Sequence, residues 1–330
     1  MSVDRSLIDW LLDSDPAIRW QVLRDIVGAP EREWQAERSK VEREGWGAEL
    51  LACQDVDGQW AGGAFVPAGY TEDMWRTAGQ PWTATCFSLQ QLYDFGLDPA
   101  CERAQRTVAL IGLNSKWDHD GQPFWDGEVE ECINARTVTA GAYFGVDVSP
   151  IVKRLLGERQ PDGGWNCERC NGSHRSSFHT TINVLEALLA YENAKGQTPE
   201  TRAARAAGED YLLKRELYKR LETGQPADER YLKLLYPPRW RYDVLRGLDY
   251  FRLASLAGGT PPDVRLRTAI AHLRARQAPD GTWPLDWQLT GPVWFQMEAV
   301  GKPSRWITLR ALRVLRWWDA AGVDTRQPQT

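Results

Sequence analysis

The chain has no apolar run approaching the roughly 20 residues that a bilayer-spanning helix needs. Its first stretch, "MSVDRSLIDWLLDSDP", lacks the basic start, long apolar segment and small-residue cleavage site of an export leader. A soluble, cytoplasmic protein with no transmembrane segment is the expectation. Also missing is a basic block. The 40 lysines and arginines are interleaved with 45 acidic residues for a net charge near −5, which argues against a nucleic-acid partner. No series of strands can be read, and no linker divides the 330 residues. The six cysteines are irregularly spaced, a pattern that in a chain this long fits reduced thiols rather than a disulfide framework.

What the chain has in excess is tryptophan, 17 residues of it, within a 42% hydrophobic composition that can build a large core. Part of the excess is a repeat. "QDVDGQW" at 54–60, "QPDGGW" at 160–165 and "QAPDGTW" at 277–283 share a Gln, a spacer, Asp-Gly and Trp, with a degenerate copy "HDGQPFW" at 119–125. Asp-Gly marks a tight turn with positive φ, and its recurrence tens of residues apart marks a repeat architecture.

Helical patterns flank each turn. Before the turns lie charged segments opened by a capping residue and proline, at Asp98-Pro99, Ser149-Pro150 and Thr198-Pro199, with a variant from Thr260. After them come segments apolar over most of their circumference, such as "WTATCFSLQQLYDFG", "ECINARTVTAGAYFG", "FHTTINVLEALLAYE" and "RWITLRALRVLRWW". An early copy runs from "SLIDWLLDS" through Asp15-Pro16 into "AIRWQVLRDIVG", which makes six outer and six inner helices. The expected fold is all-α: one (α/α)6 toroid over residues 1–330, with the stretch 196–240 extending an outer helix into an elaborate loop. Trp60, Trp165 and Trp283 are expected to pack the helix joints.

The Gln…Asp-Gly-x-Trp boxes resemble the Q/W repeats of squalene-hopene cyclases, whose toroid is shared by the beta subunits of protein prenyltransferases. The resemblance in plan covers nearly the whole chain, is specific for fold and far less so for activity. It implies a zinc-dependent transferase or lyase, or a cyclase.

Because each box joins an outer helix to the start of an inner one, the inner N-termini are expected to open at one end as a funnel. Its lining would include Trp82, Glu130, Glu131, Cys132, Phe178, His179, Trp240, Arg241, Tyr242, Asp243, Arg305 and Trp306. Helix starts present free N–H groups and partial positive charge, which favour thiolates and anions. Cys132, His179 and a neighbouring carboxylate make a zinc set with an open fourth position. In farnesyltransferase-like beta subunits an Asp and a Cys two apart and a His in a Tyr-His-Thr stretch hold the zinc. The resemblance thereby implies Glu130, Cys132 and His179 as ligands here, with Glu in place of Asp and Glu128 or Glu131 as the alternative carboxylate. No copy of that family's prenyl diphosphate-binding basic cluster is seen. The cyclase side of the resemblance offers "EVEE" at 128–131 as a carboxylic acid site.

Three further readings compete with that ligand set. Cys167, Cys170, His174 and His179 are spaced like a zinc knuckle, and Cys167 could instead join Cys132 and His179. Cys132 and His179 are also ordinary as buried structural residues. Asp243 or Tyr242 is the expected acid/base partner of the metal. Trp82, Phe178, Trp240, Arg241, Arg305 and Trp306 are the expected wall of an aromatic pocket for an isoprenoid-like or thiol-containing small molecule. The rival function is a noncatalytic toroid that binds a small molecule or a peptide.

Overall fold

The structure is a computed structural model that describes residues 3–322. Its regular structure is helical, and β-pairing among the described residues is confined to isolated bridges. Six helix pairs follow one another along the chain. The outer members are α1 (Arg5–Leu12), α4 (Gly45–Ala52), α7 (Glu102–Asn114), α9 (Ser149–Gly157), α11 (Pro199–Leu213) and α13 (Arg267–Ala275). The inner members are α2 (Pro16–Val22, continued by a π turn over Leu23–Val27), α6 (Thr85–Phe95), α8 (Glu131–Phe144), α10 (Phe178–Lys195), α12 (Val244–Gly258) and α14 (Arg305–Ala320). Two short additions, α3 (Glu31–Arg38) and α5 (Glu72–Ala78), complete the count. Each inner helix packs against the next, and α14 packs back against α2, so the inner ring closes. The expected all-α toroid is the observed fold. No helix of the described residues is long and apolar enough to cross a membrane.

The boxes act as joints. The indole Nε1–H of Trp60 donates to the Leu50 carbonyl (2.8 Å), that of Trp165 to Leu155 (2.7 Å) and that of Trp283 to Leu273 (2.7 Å). In every case the acceptor lies near the C-terminus of the outer helix, where the carbonyl lacks its i+4 amide and keeps only a long contact (3.2–3.3 Å) with the amide three residues on. The backbone N–H of the same tryptophan donates to a threonine in the first turn of the following inner helix: Thr85 (3.1 Å), Thr181 (3.1 Å) and Thr308 (3.0 Å). One residue thus ties the end of one helix to the start of the next. The glycine of each box has positive φ, 92° at Gly58, 107° at Gly163 and 86° at Gly281, as the Asp-Gly pattern requires. At Gly58 a Cβ would also stand 2.3 Å from Leu110 Cβ.

Three details depart from the sequence expectation. Asp98-Pro99 forms a turn ahead of α7, whose N-cap is Cys101, and Ser149 is the first residue of α9, whose N-cap is Val148. The long stretch after α11 does not stay outside: residues 236–239 enter the ring at the N-terminal end of the inner helices and line its centre.

All three box tryptophans have no exposed surface. Truncating Trp165 to alanine leaves a cavity and takes from the Leu155 carbonyl its shorter hydrogen bond, and should cost about 3–5 kcal/mol. Trp165→Phe, which keeps most of the ring and loses the N–H, should cost about 1–2 kcal/mol. Urea unfolding followed by circular dichroism measures both, and a Trp165→Phe variant as stable as the wild type would show that the indole hydrogen bond contributes nothing.

Candidate functional site

The expected funnel is closed. Segment 284–304 lies across the N-terminal end of the ring, where Thr290 O accepts from Trp82 Nε1 (2.9 Å) and Trp294 Nε1 donates to Ser88 Oγ (3.1 Å). It is knitted to the 231–239 loop through Asp286, whose carboxylate accepts from Leu234 N (2.8 Å). Trp82, Phe178 and Tyr242 are buried beneath these loops. Phe178 packs with Tyr211, Tyr231 and Tyr242 in an aromatic cluster. Trp240 donates to Gln80, Arg241 lies over Trp240 and Trp287, and Arg305 lies over Trp10. Of the expected pocket wall, only Trp306 lines the central cavity.

The expected acid/base pair also has other work. Asp243 is the N-cap of α12, fully buried, with one carboxylate oxygen accepting from Arg246 N (2.7 Å) and the other from Leu235 N (3.2 Å). The Tyr242 hydroxyl donates to Leu217 O (2.7 Å). Neither lines the cavity. Both are corrected here to structural positions, because their polar atoms are spent on backbone groups.

The metal expectation is revised in one ligand. Among the described residues, one group of three or more ligand atoms lies mutually within 4.8 Å: Glu130, Cys132 and Cys167. His179 is not in it. Its Nδ1 accepts the backbone N–H of Tyr242 (2.9 Å), so the neutral ring carries its proton on Nε2 and presents no free lone pair. The zinc-knuckle arrangement is absent from the described residues as well: Cys170 and His174 are exposed, and the Cys170 thiol turns to its own loop at Cys167 O.

Local structure explains the convergence. Cys132 sits on the first turn of α8, and Cys167 opens a 3-10 turn (Cys167–Asn171) between the box at 160–165 and α10. That turn is pinned to α8 by Arg169, which pairs with Glu131 (2.7 Å) and Glu158 (3.0 Å). Glu128 accepts the Glu130 N–H (2.7 Å). Glu130 alone of the three glutamates is left without a cation or a backbone donor, and it accepts the Cys132 thiol at 3.3 Å. Cys167 accepts from Thr180 Oγ1 at 3.6 Å. Hydrogen bonding between the two sulfurs separates their pKa values, Cys167 below and Cys132 well above the ordinary thiol range, with burial adding to the rise at Cys132.

The centre of the ring is a different environment. A cavity of about 350 Å³ is lined from all six inner helices and from the 236–239 loop. Its wall is charged, with Arg24, Arg136, Arg239, Arg246, Arg252, Arg310 and Arg313 against Asp94, Glu186 and Asp249. Tyr236, stacked on Trp306 at 4.5 Å, and Arg239 form a buried floor, whereas Arg24, Asn193 and Leu253 are exposed at the other end. The cavity therefore opens towards the C-terminal ends of the inner helices. It is aromatic, as expected, but with Trp20, Tyr93, Tyr143, Tyr236, Tyr250 and Trp306 in place of most of the expected wall residues, and it is charged where an apolar pocket was expected. The sequence signal for it was present in the polar stripes of otherwise apolar inner helices, such as Arg246, Asp249 and Arg252 or Arg310 and Arg313 at three-residue spacing.

No protein-family model and no curated protein matches the chain. Among solved structures, one from Actinoplanes is 19% identical with a TM-score of 0.46, covering 96% of this chain and 98% of that one. A variant of the type II terpene cyclase MstE from Scytonema, in complex with geranylgeranyl dihydroxybenzoate, is 16% identical with a TM-score of 0.36, covering 87% and 97%. At these values neither likeness carries an argument about activity.

Burial, reinforced by Arg241 and Arg246 and opposed by Asp228, holds the His179 pKa down to about 4, against 6.5 for a free ring. The unfolded chain takes up a proton in that interval and the folded chain does not. The contribution of the neutral ring is therefore complete above pH 6.5 and is lost as pH falls towards 4, by up to about 3 kcal/mol. His179→Asn keeps an acceptor for Tyr242 N and removes the titration. Wild-type stability should fall relative to this variant between pH 6.5 and 4 in urea melts, and parallel curves would refute the assignment.

Proposed function

We propose that the chain is a zinc-dependent enzyme acting on a small molecule, with the ion held by Glu130, Cys132 and Cys167. The observation that supports this reading is the convergence, from two segments 35 residues apart in sequence, of two thiols and a carboxylate that has no other partner. None of the three lines the central cavity, so this centre and the cavity are separate. The rim group offers a reactive centre.

The donor set suits the ion. Zinc is a borderline-soft ion that accepts thiolate sulfur and carboxylate oxygen together, and three protein ligands are the number found where it keeps a position for water or substrate. In such a site the bound ion lowers the pKa of a water or thiol that occupies the open position. Glu130 is partly exposed, so the group is reachable from outside the ring. The chain's own residues do the positioning. Arg169 bridges Glu131 and Glu158 and holds the 3-10 turn against α8, the Thr180 hydroxyl orients the Cys167 sulfur, and Glu128 fixes the Glu130 backbone. A thiol-bearing substrate fits a thiolate-ligated ion through the open position.

Metal content measured by mass spectrometry on protein purified without chelators tests this reading and separates the two ligand sets. The wild type and His179→Ala should each carry about one zinc per chain, and Cys132→Ala and Cys167→Ala should lose it while keeping their helical content. A metal-free wild type, or loss in His179→Ala with retention in Cys167→Ala, would overturn it.

A further inference from the structure

The central cavity carries an inference that does not depend on the rim group. Its seven arginines face three carboxylates, and two of those are already engaged. Glu186 is gripped by Arg246 through two contacts (2.8 and 2.6 Å), with Arg136 at 3.5 Å. Asp249 holds Arg252 at 2.8 Å and Arg310 at 3.4 Å. Arg313 turns away to Asp25 and Gln21.

Arg239 is left over. Its guanidinium makes no hydrogen bond and no ion pair among the described residues; it lies over the Trp82 ring at 5.5 Å, and the residue is only 8% exposed. Its backbone is strained too, with φ at 53° in a residue that is not glycine. Asp94 is the carboxylate whose charge acts most on it, without forming an ion pair, and a buried charge lacking a contact partner is among the costlier features a fold can contain. The chain holds this one at the floor of a cavity by wedging a loop into the ring, with Arg136 and Arg246 both donating to the Arg239 carbonyl.

The surrounding polar atoms are unmatched in the same sense. Arg310 Nη1, Arg136 Nε, Arg313 Nε and the Tyr236 hydroxyl are buried without partners, against one orphaned acceptor on the wall, Gln90 Oε1. Donors are in surplus. Asp94 is the one wall carboxylate outside any ion pair, and burial raises its pKa, so beside an arriving anion it can take up a proton. The positive wall also stands out in a chain whose net charge is −5.

We propose that the floor of the central cavity, built by Tyr236, Arg239 and Arg310, binds a compact, multiply charged oxyanion group of a small molecule whose remainder points to the mouth. Guanidinium forks match the oxygens of phosphoryl and carboxylate groups, and a fully enclosed pair of this kind is strong because water does not compete. Trp20, Tyr93 and Tyr143 line the rest of the cavity and offer ring faces to the remainder of the ligand. The ligand is thus a phosphorylated or polycarboxylated small molecule.

Isothermal titration calorimetry with pyrophosphate, inorganic phosphate and citrate, at constant ionic strength with chloride as the balancing anion, tests the assignment. At least one of the three should bind saturably. Arg239→Met should weaken it by about 30-fold or more. The same variant should melt at a higher temperature than wild type without ligand, since it removes an unpaired buried charge. Pyrophosphate binding more tightly than citrate identifies the phosphoryl class, and the reverse identifies the polycarboxylate class. Tyr236→Phe and Arg310→Met give the same affinity readout should Arg239→Met not fold. No saturable binding of any of the three anions, or affinities unchanged across all three variants, would overturn the proposal.

Discussion

The rest of the structure depends on a single repeated bond, the indole N–H that each box tryptophan gives to the last turn of an outer helix. A helix end buried without a partner for its carbonyls is costly, and a tryptophan ten residues on supplies that partner while its backbone N–H engages the next helix start. Repeated ahead of α6, α10 and α14, this joint turns these three inner helices the same way round. A ring of parallel inner helices follows, and with it a centre that side chains from all six must either fill or leave open.

In this chain they leave it open and charged. A wholly apolar ring centre would be the simpler route to stability, since exchanging buried ion pairs for packed hydrophobic residues is often neutral or favourable. Glu186 and Asp249 show how most of the charge is made tolerable, each shared between arginines of neighbouring helices. Arg239 shows where compensation stops. Strain and an unpaired charge at the end of an enclosed cavity are features of a binding surface shaped for something the chain itself does not provide.

Much of the fold was legible because its determinants are local. The Asp-Gly turns, the tryptophan that follows and the apolar helices beyond lie within short windows of sequence, so turn chemistry and periodicity locate them. The site was legible only in part. Glu130 and Cys132 are two residues apart and could be paired by reading. Cys167 reaches them through Arg169, whose partner Glu131 is 38 residues away, and His179 is turned aside by an amide 63 residues away. Such encounters have no signature in any window. The seven cavity arginines are scattered from position 24 to position 313; six resemble ordinary amphipathic helix residues, and Arg239 an ordinary loop residue, until the ring closes around them.

Diffraction from crystals soaked in tungstate, recorded at the tungsten edge, locates directly any anion bound in the charged chamber at the middle of the toroid. The expectation is an anomalous peak enclosed by Tyr236, Arg239 and Arg310. Peaks confined to the outer surface, with the chamber packed shut by its own side chains, would contradict it.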